Sequence, residues 1–167
     1  MKRWGVAALV LILCAAVGLC VRLRGFGLVR ISGTSMNNTL KSGDVVLVTR
    51  YDCQSDRPPE FGDVVECRFP GREDTYIKRV IGLPGDSIAF SQGFLTRNGV
   101  PVQEPYVSSV TDDYRIELDS DRYLLLGDNR ADSYDSRMPD MGAVGPDAFS
   151  GRVRCIVWPP DRIGGVK

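Results

Sequence analysis

The sequence predicts an all-β domain, an antiparallel sheet or barrel, carried behind a single apolar N-terminal helix. Three observations predict it. After residue 24 at least five short β-prone runs are closed by glycine, asparagine or proline turns. Nothing in that stretch has a sustained helical period. Ahead of it, Trp4 to Val21 runs eighteen residues without a charge, between Lys2-Arg3 and Arg22.

As a helix, residues 4–21 reach about 27 Å, close to the roughly 30 Å of a bilayer's hydrocarbon core. Trp4 stands at its boundary as an aromatic anchor. The run is longer than the apolar region of a cleavable leader, and Val21-Arg22-Leu23-Arg24 offers no small-residue cleavage site. A retained anchor is expected, with residues 1–3 in the cytoplasm on a narrow balance of basic flanks. Residues 22–30 read as a juxtamembrane linker and 31–167 as one domain outside the cytoplasm, with a small β subdomain over about 87–121.

Within that domain, Asp44 to Thr49 is an apolar strand behind a Gly43-Asp44 turn. Gly62-Asp63 opens a second, where Val65, Cys67 and Phe69 alternate with Val64, Glu66 and Arg68. Thr75 to Ile81 is a third, with Tyr76, Lys78 and Val80 on one face. Phe94 to Val102 carries an Asn98-Gly99 hairpin signal. Arg122 to Leu126 ends at Gly127-Asp128, and Cys155 to Trp158 ends at Pro159-Pro160. Tyr51 to Phe61, with Pro58-Pro59, reads as a loop.

Charge and cysteine usage exclude several functions. The 21 basic and 21 acidic residues cancel, and no basic block exists, so no nucleic-acid partner is expected. Cys14 and Cys20 fall in the apolar run, leaving Cys53, Cys67 and Cys155. No Cys-x-x-Cys is present and no histidine can help, which argues against a zinc site. If the domain faces outward two of those three thiols can pair, and the odd number leaves one over. Asp128 to Pro139 opens like a calcium loop, but Ser133 replaces the required glycine and Pro139 the closing glutamate. No metal or cofactor is expected.

The absence of histidine also excludes a Ser-His-Asp triad and a Cys-His pair, so a serine hydrolase on this chain needs another base. A desolvated lysine is the known substitute. Lys2 and Lys167 lie near the ends, and Lys41 sits in a polar turn; Lys78 alone stands inside a strand, between Tyr76 and Val80. Taken singly, a serine beside glycine is a turn residue, and a strand lysine commonly snorkels to water. A lysine desolvated by apolar neighbours loses protonated character and gains a lone pair near neutral pH. Ser35, in Ser32-Gly33-Thr34-Ser35-Met36, is the candidate nucleophile for it.

These pieces together resemble the bacterial type I signal peptidases, the membrane-anchored serine-lysine endopeptidases, in their small Gram-positive form. Ser32 to Leu40 looks like the nucleophile box, Gly43 to Val48 like the structural box after it, Tyr76 to Asp86 like the lysine box, and Gly127 to Arg137 like the last box. The resemblance implies Ser35 as nucleophile, Lys78 as base, Ser133 orienting the amine, and Asp135 with Arg137 as a structural ion pair. It further implies a substrate of preprotein signal peptides with small residues at positions −1 and −3, met at the lipid bilayer. Three positions depart from the pattern. Asn38 stands where the family usually has proline, so that turn lacks proline's constraint. Ala131-Asp132 replaces Asp-Asn. Gly33 occupies a position where some members place a serine hydroxyl in the oxyanion hole, leaving the Ser35 backbone N–H to serve. Two alternatives stay open: a self-cleaving Ser-Lys protease of the LexA kind, and a non-catalytic tethered domain that binds signal peptides.

Overall fold

The computed structural model describes residues 25–50 and 57–166, together with Ile12 and Gly18, both helical. The strands in chain order are β1 Phe26–Arg30, β2 Val45–Arg50, β3 Val64–Cys67, β4 Tyr76–Gly82, β5 Ser87–Ser91, β6 Phe94–Arg97, β7 Val100–Val102, β8 Tyr114–Glu117, β9 Leu124–Leu126, β10 Phe149–Trp158 and β11 Gly164–Gly165. They form two antiparallel sheets. The larger runs β1-β2-β10-β3-β4-β9, with β11 added on β10; the smaller runs β7-β6-β5-β8, within residues 87–121.

Three apolar clusters hold these sheets. Ile31, Met36, Leu40, Val46, Val48, Val64, Val153 and Ile156 pack on one side of the large sheet. Val65, Cys67, Phe69, Val80, Tyr123, Leu125 and neighbours pack on the other. Ile81, Leu124 and Leu126 meet Ile88, Phe90, Leu95 and Leu118 to join the two sheets. The alternation in β3 therefore does not separate core from solvent. All four of its residues are buried, Glu66 included, because both faces are covered.

Five strands differ from expectation, counting β5 and the two-residue β11, which no expected run covers. The stretch read as linker holds β1, paired with β2 from Phe26↔Thr49 to Arg30↔Val45; Gly25 and Gly27 disguise a run whose Phe26, Leu28 and Val29 suit a strand. β8 was not foreseen, because Tyr114-Arg115-Ile116-Glu117 is short and charged. β10 begins at Phe149, not Cys155, since Gly151, Arg152 and Arg154 hide its pattern while it pairs with both β2 and β3. The Asn98-Gly99 turn connects β6 to β7 with φ of 53° and 76°, the left-handed pair that a tight hairpin needs.

Most of the expected membrane anchor, residues 4–21 with Trp4, Cys14 and Cys20, lies outside the described residues, as does Cys53. Among the described residues no helix is long and apolar enough to cross a membrane. Cys67, buried, and Cys155, half-buried, are free thiols.

Candidate active site

Ser35 sits on the turn between β1 and β2. The turn is closed by Asn37 N–H donating to Thr34 O at 2.9 Å and Leu40 N–H to Met36 O at 2.8 Å. Met36 and Leu40, which follow the serine, are buried in the first cluster and hold the turn from below. Gly33 has φ +92°, a conformation that disfavours any side chain. A serine in the family's alternative oxyanion position would be strained here, so the hydroxyl version of that site is closed to this backbone. Among the described residues no acceptor takes the Ser35 N–H, which leaves it available.

Lys78 stands at the middle of β4, opposite Val65 of β3. Only 2% of it is exposed. Its Nζ donates to Ser35 Oγ at 2.7 Å and to Ser133 Oγ at 3.2 Å. Burial holds the amine below the ordinary lysine range, and the Asp135 charge offsets that only in part. The neighbours expected from the strand period are in place: Val80 is fully buried and Tyr76 packs against the same cluster, edge-on to Phe69. Cys67 shares that environment, where burial pushes its thiol up to about 12, so it stands as a neutral thiol beside the amine.

The segment 127–137 closes the third side. Asp135 is fully buried and takes two hydrogen bonds from the Arg137 guanidinium, at 2.8 Å and 2.9 Å, one from the Arg137 N–H at 3.3 Å and one from Gly127 N–H at 3.0 Å. Burial alone would raise this carboxyl, but Arg137, Gly127 and the Ser133 hydroxyl together hold it below the usual range. Asp135 is thus a fixed anion that orients Ser133, which in turn meets the lysine. The same segment is stitched to the nucleophile turn. Asn129 N–H donates to Ser35 O at 3.0 Å, its side chain to Thr34 O at 3.2 Å, and Thr34 Oγ1 donates to Asp132 Oδ2 at 2.5 Å. Asp132, one of the departures, therefore fastens the turn beside the nucleophile, and Ala131 N–H is taken by Ser109 Oγ at 3.3 Å.

Asn38 has φ +88°, which proline's ring forbids. Its side chain donates to Tyr106 O at 3.1 Å and Ser108 Oγ at 2.9 Å. The turn is constrained by those bonds where proline's ring is missing.

Ser35 and Lys78 open onto a cleft of about 350 Å³, walled by Val29, Ile31, Met36 and Ile77 with Gly33 and Glu66. Sequence reasoning missed four supporting residues. Arg79 is buried against Asp128, at 2.8 Å and 2.7 Å, with Tyr106 stacked 3.8 Å from its guanidinium carbon. Gly127 is another: a Cβ there would overlap Ser133 Oγ and Ser35 O. Glu66 is the fourth, together with Asp128 invisible to a reading that places charged residues in water. The one available signal was register, since Glu66 and Arg79 both fall inside runs already read as strands.

A buried lysine amine thus touches a serine hydroxyl on an antiparallel β scaffold. The family described as "Signal peptidase, peptidase S26" matches residues 1–158, and the chain belongs to that family. It is 34% identical over 142 residues to a probable signal peptidase I-2 of Synechocystis, covering 80% of this chain and 64% of that protein, so it spans just under two thirds of that relative's length. It is 31% identical over 165 residues to signal peptidase I U of Bacillus subtilis, covering 92% of this chain and 87% of the relative. Signal peptidase IB of Staphylococcus aureus is 32% identical over 149 residues, covering 77% and 76%. A crystal structure of a signal peptidase I from Enterococcus faecalis superposes with a TM-score of 0.53 at 29% identity, covering 59% of this chain and 98% of that one.

Proposed function

We infer that this chain is a membrane-anchored signal peptidase I that cuts signal peptides from exported preproteins. The observation that carries the reading is the 2.7 Å contact between Lys78 Nζ and Ser35 Oγ, with the amine buried and its protonation disfavoured. With the amine neutral, the contact reverses direction and the serine O–H donates to the lysine lone pair. Ser35 Oγ attacks the scissile carbonyl as Lys78 takes that proton. The Ser35 N–H faces the developing oxyanion. Lys78 then gives the proton to the departing amine, and the acyl-serine ester is hydrolysed by a water that Lys78 deprotonates. Ser133 positions the amine through its hydrogen bond, and Asp135 acts through Ser133.

The cleft walls, Val29, Ile31 and Ile77, suit the small side chains expected at positions −1 and −3. Residues 4–21 anchor the domain, with the N-terminus inside and residues 31–167 on the far face, where a preprotein emerges from the translocon. The test is incubation of the purified full chain with a preprotein. The expected product is a mature protein whose new N-terminus follows the small-x-small motif, formed by wild type and absent with Ser35→Ala. An intact preprotein with the wild-type chain contradicts the reading.

A further inference from the structure

We propose that a groove between the small sheet and the 103–110 stretch holds the mature segment of the preprotein, downstream of the cut, and favours apolar side chains there from about position +4. This deepens the signal-peptidase reading and rests on it. The groove has a volume of about 500 Å³. Its lining includes Leu95 of β6, 2% exposed, and Val102 of β7, which pair across the sheet and give it a rigid floor. Phe94 and Val110 also line it, yet stand 74% and 77% exposed. Large apolar side chains left in water beside a groove mark a contact site. Gln92 and Gln103 complete the lining, and their amides can donate to and accept from an extended peptide backbone, which an acyl chain cannot use.

Continuity with the catalytic cleft names the occupant. That cleft is lined from 29–36, 66 and 74–78, with nothing from the small sheet. With the signal-peptide side lying in it, the chain after the scissile bond leaves past the far side of the nucleophile turn. There Asn38 donates to Tyr106 O at 3.1 Å and to Ser108 Oγ at 2.9 Å, and Ala131 N–H donates to Ser109 Oγ at 3.3 Å. Ser108 and Ser109 line the groove themselves, so its wall touches both segments that hold Ser35. Arg130 pins the same stretch at both ends, through Glu104 Oε2 at 3.0 Å and Thr111 Oγ1 at 3.3 Å. Ser35 to Asn38 spans less than about 7 Å within one turn, and the side-chain hydrogen bond to Ser108 adds about as much. At about 3.3 Å per residue, an extended substrate covers that distance in about four residues.

The full chain in detergent micelles is assayed with two substrates that share one signal peptide and differ only at mature positions +4 to +6, leucines in one and serines in the other. For wild type the expected kcat/KM is about tenfold higher for the leucine substrate. In the double variant Phe94→Asp with Val110→Asp, two exposed positions whose exchange leaves the core closed, that ratio should fall to about one. Ratios compare substrates on one folded population, so partial misfolding of the variant leaves them intact. Equal cleavage of the two substrates by wild type overturns the assignment, as does a leucine preference that survives in the double variant. A preference that appears only in lipid vesicles gives the groove to the lipid surface, and a wild-type dimer in detergent that the double variant dissociates gives it to a second copy; either overturns the assignment. If wild type cuts the serine substrate, the peptidase reading stands whatever the ratio; if it cuts neither, both fall.

Discussion

Lys78, the base proposed above, is buried at a cost to stability. In the unfolded chain it titrates as an ordinary lysine, and in the fold burial holds it lower. Between the two values the unfolded state binds more protons, so stability rises with pH across that window and the penalty is fully present below the folded value. Each unit of depression costs about 1.36 kcal/mol. Lys78→Met keeps the stem's volume without the charge, and should be inactive yet more stable than wild type at pH 7 by chemical denaturation. An equal or lower midpoint at that pH would count against a desolvated amine. Lys78→Ala should abolish preprotein cleavage with the fold kept, whereas Lys41→Ala, in a turn, should cleave near the wild-type rate. Gly127→Ala drives a methyl into Ser133 Oγ, which meets the amine, and into the Ser35 carbonyl, which holds the nucleophile turn to Asn129. It should lower kcat about 100-fold and cost about 1–3 kcal/mol of stability, measured by steady-state kinetics and urea melts. Ser35 and Lys78 were legible because a chain without histidine, with one lysine inside an apolar strand, leaves few other bases. Gly127 was not, because close approach between segments 92 residues apart has no local signature; the Ser35 O–Gly127 conflict exists only after folding.

At the scale of elements, the nucleophile turn is a device held from three directions. Met36 and Leu40 pin it to the core, Asn129 and Asp132 tie it to segment 127–137, and Asn38 ties it to the 106–108 stretch. Restoring the family's usual residue with Asn38→Pro meets a φ of +88° that proline cannot adopt. The expected loss is about 1–3 kcal/mol, against about 1 kcal/mol or less for Asn38→Gly, which keeps the conformation and loses the side-chain bonds; paired melting curves read the difference. If Asn38→Pro were the more stable of the two, the left-handed turn would be the wrong description. The strands whose residues are apolar and β-branched, β2 and β4, were legible from pattern alone. β1 and β10 were not, since Gly25, Gly27 and Gly151 interrupt the signal that pairing with β2 restores.

For the whole molecule, two sheets share one cluster and the buried Arg130–Glu104 ion pair ties segment 127–137 to the 87–121 stretch, so the small sheet supports the site from behind. Arg130 is buried against Glu104 and stacks 5.2 Å from Phe90, and Tyr106 covers Arg79. None of this is visible in a neutral overall charge, because the buried arginines count the same as exposed ones in a composition. The expected topology is checked by adding protease to intact protoplasts: the domain should be degraded and an anchor fragment left, while full protection would reverse the orientation. The central claim is that a buried lysine, not a carboxylate, takes the proton from Ser35. The pH profile of kcat/KM for preprotein cleavage by the full chain tests it most directly. A lysine base needs its neutral form, so activity should climb from neutral into mildly alkaline pH, with a limb below the free-lysine value of about 10.4. An acid limb below about pH 6, the range of a carboxylate base, would contradict it.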